Sequence, residues 1–293
     1  MAIDPDVQVL LDGINSRIDG LLTVITDPLV IDEPNTVIRG VRFDGSQAGD
    51  LGDSAFITVK APNVRIVDCE IANVTGHAIE TNSDGTEVAG TTFTNVSRAG
   101  VFAIARYNQP GFAGPSVLNN RFDNCGFEQT IVVAFRALGG DIVGGQVSDN
   151  RFVRCDGEHI WIAGDQANIH TEGVVVDGNL ITEPGPNGPY ISCTHSSRHC
   201  VVSNNMVVGG PHAHYESGNH DRDNLFTGNV SIRSGASAYI NRSAAGGTTR
   251  AHFIGNVAIE PAKFGFVFGE QEPGGIWEHN TVIDPGVGVR LDL

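Results

Sequence analysis

Acids, imidazoles and a guanidinium crowd one stretch of the chain, PHAHYESGNHDRDN, in which His214 and Glu216 stand two apart and Asp221, Arg222 and Asp223 follow closely. A base with a cation beside it can take a proton next to a carboxylate and neutralise that carboxylate. This is lyase chemistry, with His214 or a tyrosine as base and Arg222 as cation. Two carboxyls about 5 Å apart, or about 6.5 to 9.5 Å apart, would instead hydrolyse a glycosidic bond with retention or inversion, and Glu216 with Asp221 or Asp223 are the candidates. Upstream, CDGEHIW carries Asp156, Glu158 and His159, and THSSRHC carries His195, Arg198 and His199. Each of these sets also reads as a solvated polar turn, the commoner role of such residues. The five cysteines lack the spacing of a zinc site, so no metal and no other cofactor is expected.

The elements that must hold these residues follow from an internal repeat. An apolar residue, two variable positions, a position that is often Asn, one variable residue and a second apolar residue recur as IRGVRF, IVDCEI, VAGTTF, VLNNRF, VSDNRF, VDGNLI, VSNNMV, FTGNVS, FIGNVA and WEHNTV. The fourth position falls at Val41, Cys69, Thr91, Asn120, Asn150, Asn179, Asn205, Asn229, Asn256 and Asn280, in steps of 22 to 30 residues. Such a period means a solenoid of stacked coils. An Asn at one turn of every coil can bond the coils above and below it, satisfying polar groups that burial would orphan. A second short apolar segment follows each copy, so each coil holds two or three short strands. High glycine (37 residues) and low aromatic content (7%) fit many tight turns. Leucine-rich repeats share the period but need leucine where this chain has Val, Ile and Phe.

The asparagine-centred motif resembles the parallel β-helix repeat shared by polysaccharide lyases, pectin-degrading hydrolases and bacteriophage tailspikes, from about residue 35 to 293. The resemblance implies an all-β, right-handed, single-stranded parallel β-helix of about ten coils. It implies little about function, because the motif specifies scaffold. The paired aspartates and Gly-His-Gly of the pectin hydrolases are missing, with His77 flanked only by Gly76, so that family's catalytic residues do not carry over. Cys125 and Cys155 each lie five residues after a ladder Asn and should stack in adjacent coils, as two reduced thiols or as a disulfide.

Ahead of the coils, Val7, Leu11, Ile14, Ile18, Leu21 and Ile25 step by 4, 3, 4, 3 and 4, the seam of a short helix over residues 1–28 with the β-helix from 29 to 293. The seam serves either a self-associating coiled coil, a trimer being expected, or a cap on the open end of the solenoid. MAIDPDVQVLLDGINSRIDGL also resembles the openings of minor tail proteins from phages of actinobacteria.

Alternation along the second strand of each coil, with Ile160 and Ile162 inward, predicts His159 and Trp161 outward. The same phase exposes Tyr190, Ser192, His212, His214, Glu216, Tyr239 and Asn241. Aromatic faces pack on pyranose C–H faces while His, Asn and acids bond hydroxyls, so His159, Trp161, Tyr190, His212, Tyr239 and Asn241 are expected to bind glycan.

The net charge of −16, from 18 Lys plus Arg against 34 acids, argues against nucleic acid as a partner. The opening residues lack a basic export signal, and no apolar run is long enough to cross a membrane. The expectation is a virion structural protein of tail or tailspike type that self-associates, meets other virion proteins at its uncapped C-terminal end and contacts a host-surface polysaccharide. A polysaccharide lyase or glycoside hydrolase, and a ligand-free structural module, are the alternatives.

Overall fold

The computed structural model describes residues 24–128, 131–165, 168–218, 220–242, 250–268 and 275–287. Three parallel sheets run the length of the molecule, with eleven strands in the first, ten in the second and fourteen in the third. The first runs from Val24–Ile25 to Thr281–Ile283, the second from Leu29–Ile31 to Phe266–Phe268, and the third begins at Val37–Arg39. Each coil passes through the first, second and third sheets in turn, several coils entering the third with two consecutive strands, and each strand pairs in parallel with its counterpart one coil away, as when Phe93 meets Phe122 and Phe122 meets Phe152. That connectivity is a single-stranded parallel β-helix.

The asparagine ladder forms as expected. Asn150 donates from Nδ2 to Asn179 Oδ1 at 2.9 Å and to the Val117 carbonyl at 2.8 Å, while its backbone N–H donates to the same Asn179 oxygen at 3.0 Å. The pattern repeats from Asn120 to Asn280, and every rung from Asn120 to Asn256 is buried. Each side chain thereby satisfies backbone groups at the corresponding turn of the preceding coil. Earlier in the chain Thr91 takes the place, its hydroxyl accepting the Cys69 N–H at 3.3 Å. A second ladder, which the repeat did not announce, runs outside the coils: Asn124 donates to Asn95 at 2.9 Å and Asn95 to Asn73 at 3.2 Å. All three have φ near +55°, a region in which a short amide side chain is tolerated far better than a branched one.

Inside, equal positions of successive coils stack like on like. Phe93, Phe122 and Phe152 form one column with centroids 4.6 and 4.9 Å apart, and Phe226, Phe253 and Trp277 another at 4.6 and 4.3 Å. Parallel strands about 4.8 Å apart impose that spacing. Cys125 and Cys155 are buried free thiols in neighbouring coils. Burial, with Cys155 beside it, pushes the Cys125 thiol well up.

The helix expected over residues 1–28 does not reach its last seam position. Val24–Ile25 is a strand, with Ile25 paired to Phe43 in the first sheet, because β-branched side chains suit a half-buried pleat better than a helix end. Val7, Leu11, Ile14, Ile18 and Leu21 lie outside the described residues. Among the described residues no helix is long and apolar enough to cross a membrane.

Candidate functional site

The coils do not bring the predicted catalytic residues together. His214 and Asp221 are fully buried in the interior, Glu216 stands on the outer face of the second sheet, and Arg222 and Asp223 lie on the outer face of the third. His214 lies between the Gly209 carbonyl, 2.9 Å from Nε2, and the Ser231 hydroxyl, 2.8 Å from Nδ1, and burial holds its pKa down to about 3. Asp221 accepts from the Ser197 hydroxyl and N–H, the Ser217 hydroxyl and the Gly218 N–H at 2.7 to 3.1 Å. It closes a turn, and burial pushes its pKa well up in spite of those bonds. Asp223 is held by Arg250, Nε to Oδ1 at 2.6 Å and Nη2 to Oδ2 at 2.5 Å, which keeps its carboxyl below the usual range.

The glycan stripe also needs correction. His159, Tyr190 and His214 precede Ile160, Ile191 and Tyr215 at the corner between the first and second sheets, and there two consecutive side chains turn inward. Alternation starts only after the corner. Tyr190 packs between the two imidazoles, with centroids 5.1 Å from His159 and 5.5 Å from His214, and burial pushes its hydroxyl up to about 12. His159 is held down to about 4 by the same burial. In the coil of Tyr239 the expected phase is one residue out. Tyr239 stacks on Tyr215 at 4.8 Å and donates to the Asn229 carbonyl at 2.7 Å, and Asn241 is buried opposite Ser217. His212 is exposed, just before the corner.

The register places Trp161, Ser192, Glu216 and Ile240 side by side on the outward side of the second sheet, where Trp161 and Ile240 are partly exposed while Ser192 is fully buried and Glu216 is 8% exposed. Around Trp161 a compact group assembles. The Arg136 guanidinium carbon lies 5.2 Å from the ring centroid, and indole Nε1 donates to Thr194 Oγ1 at 2.9 Å. His195, exposed on the turn that follows, meets the ring edge-on at 6.3 Å. Its pKa is lowered by partial burial and by Arg136. Towards the preceding coils the face becomes apolar: Phe102, Ile104 and Ala134 form a cluster separate from the interior core, against which Trp161 packs.

Towards the following coils it becomes acidic. Glu158, half-buried at the start of the strand of Trp161, accepts from the Ser192 hydroxyl at 3.2 Å, and Ser192 is the strand neighbour of Glu216. Burial, then the charge of Glu216, pushes Glu158 up to about 8, against the lowering effect of Ser192. Two acids on one face, with the proton affinity of Glu158 raised, are an arrangement that can divide acid and base roles. Among the described residues no group of three His, Cys, Asp or Glu side chains is disposed to hold a metal ion.

The sequence from 29 to 176 matches the family described as right handed beta helix region. This chain is a member of the right-handed parallel β-helix family. The handedness and fold expected from the repeat are thereby shown. No curated protein matches the sequence. Among solved structures this β-helix resembles the A-module of Azotobacter vinelandii mannuronan C-5 epimerase AlgE6, at 14% identity and TM-score 0.57, covering 92% of this chain and 80% of that one. It also resembles an alginate lyase from a Paenibacillus strain, at 14% identity and TM-score 0.57, with coverage of 90% and 98%. A double mutant of the tailspike protein of E. coli bacteriophage HK620, in complex with a pentasaccharide, is similar at 12% identity and TM-score 0.54, covering 91% of this chain and 57% of that one. At these identities the likeness is one of fold, and the β-helix itself must supply any argument about chemistry.

Proposed function

We propose that this β-helix is a tailspike-type virion protein that self-associates as a trimer and binds and hydrolyses a host-surface polysaccharide on the outer face of its second sheet. The observation that carries the reading is the row from Trp161 through Ser192 to Glu216, with Glu158 hydrogen-bonded into it. A sugar ring stacks on the half-exposed indole, and Arg136 and His195 bond its hydroxyls. Glu158, protonated at neutral pH, gives its proton to the glycosidic oxygen, and Glu216 as carboxylate activates water from the other side. Their strands are two spacings apart, about 9.6 Å, with the strand of Ser192 between them. The tailspike solved with a pentasaccharide supports glycan contact by analogy of fold. Lyase chemistry loses support because His214 and Arg222 lie on different sides of the coil wall.

The test is incubation with a panel of host cell-wall glycans, followed by assays for retention, new reducing ends and the anomer first released. Retention with new reducing ends is expected, and Glu158→Gln and Glu216→Gln should each slow turnover by roughly a hundredfold or more. No retention on any glycan, unsaturated products, or unchanged turnover in both variants would reject the reading.

A further inference from the structure

The outer face of the first sheet changes character along the molecule. In the early coils one outward column holds Arg42, Glu70, Thr92, Arg121 and Arg151, a solvated face. From Leu180 to Val257 one column is apolar, and the column beside it is apolar from Val208 onward, after Thr182. Leu180 pairs in register with Met206, and Met206 with Val230. Val208 pairs with Ile232, and Ile232 with Ile259. The residues between them, Ile181, Val207, Ser231 and Ala258, are fully buried, so the two columns point away from the core. Met206 is 39% exposed, and the other five are partly exposed. A contiguous apolar surface of this kind on a flat sheet marks an interface.

Three observations identify the occupant. The face is a set of ridges repeated at the strand spacing, about 4.8 Å, and a second solenoid with the same pitch, lying alongside, matches it ridge for ridge. The chain carries a net −16, yet none of these six outward positions is charged, so two copies meet here without the repulsion that their charge imposes elsewhere. The 23 residues ahead of the described part join the coils at Val24, in the first strand of this same sheet, and carry the seam from Val7 to Leu21. Parallel association of those segments would bring the first sheets of the copies together.

We infer that the outer face of the first sheet, from the coil of Leu180 to the coil of Ile259, is the surface on which a second copy of this chain packs side by side. The inference rests on the self-association in the proposed function and is independent of its glycan site.

Sedimentation and light scattering of the full chain test it. The wild type is expected at a whole multiple of the chain mass, while Ile232→Asp and Met206→Lys, both outward and folded by circular dichroism, raise the dissociation constant at least tenfold. Should Ile232→Asp fail to fold, the more exposed Met206→Lys decides alone. A wild-type monomer at high concentration overturns both the inference and self-association. An oligomer unmoved by the substitutions overturns the face and leaves self-association standing. An oligomer that dissociates in the variants, even with no glycan activity in any of them, upholds the interface while the enzymatic reading falls.

Discussion

The Ser192 hydroxyl donates to Glu158 Oε1 at 3.2 Å, joining the coil of Trp161 to the coil that borders Glu216. Through this bond the carboxyl two strands from Glu216 is held by the outward residue of the coil between them.

Because burial and Glu216 push Glu158 up to about 8 from 4.5, the folded chain keeps a proton that the unfolded chain has lost. Stability is therefore expected to fall as pH rises from about 4.5 to about 8 and to level off above. Glu158→Gln should flatten that slope in melting curves recorded across the range. Turnover should decline as pH passes 8, where the proton donor is lost. A slope unchanged in the variant would show that Glu158 is not the group responsible.

His214 behaves in the opposite sense. It is neutral in the folded chain, with its pKa near 3 against 6.5 when unfolded, so stability present above pH 6.5 drains away as pH falls towards 3. His159, held to about 4, adds to the same loss. Denaturant midpoints between pH 7 and 4 should drop less in His214→Gln than in the wild type.

The ladder should be the most sensitive part of the scaffold. Asn205 accepts from Asn179 twice, at 3.0 and 2.9 Å, and donates to the Val176 carbonyl at 2.9 Å. Asn205→Ala orphans these buried groups and is expected to cost about 2 to 4 kcal/mol in chemical denaturation. Asn205→Thr should recover part of it, since Thr91 already fills this position in an earlier coil.

Glycan retention should separate the two aromatic positions. Trp161→Ala is expected to weaken retention about tenfold or more in protein that still folds by circular dichroism, with some loss of melting temperature from the contacts to Phe102 and Thr194. Tyr190→Phe, which removes a bond to the Gly185 carbonyl, should leave retention unaltered. Equal effects of the two on affinity would contradict the corrected orientation of the strand.

The scaffold was legible because its signal is repeated: one asparagine is turn propensity, but seven in register must serve the stack. The face was legible only in part. Period-two alternation gave the outward register of Trp161, Ser192 and Glu216, since each lies beyond the corner in a regular strand, but not the exposure expected of Ser192 and Glu216, which are buried. It failed at His159, Tyr190 and His214, where two successive side chains enter the core, a feature of the corner that no single coil reveals. Tyr239 and Asn241 failed by one residue because that coil aligns with its neighbour through Tyr215 and not Glu216. Asp221 looked reactive by type, yet four donors around a buried carboxyl make it a turn closure. Glu158 was noted beside the stripe. What set it apart was the bond to Ser192, some thirty residues away in sequence, and only the stacking supplies that.

The ladder is not uniform along the axis. From Asn120 onward each rung is an amide that binds in both directions, whereas between Cys69 and Thr91 the link is one hydroxyl accepting one N–H at 3.3 Å. A stack coupled only between neighbours opens from its weaker end. Unzipping should therefore have a direction, starting among the first coils and halting at Asn120, so that the coils of Trp161 and Glu216 are among the last to lose their shape.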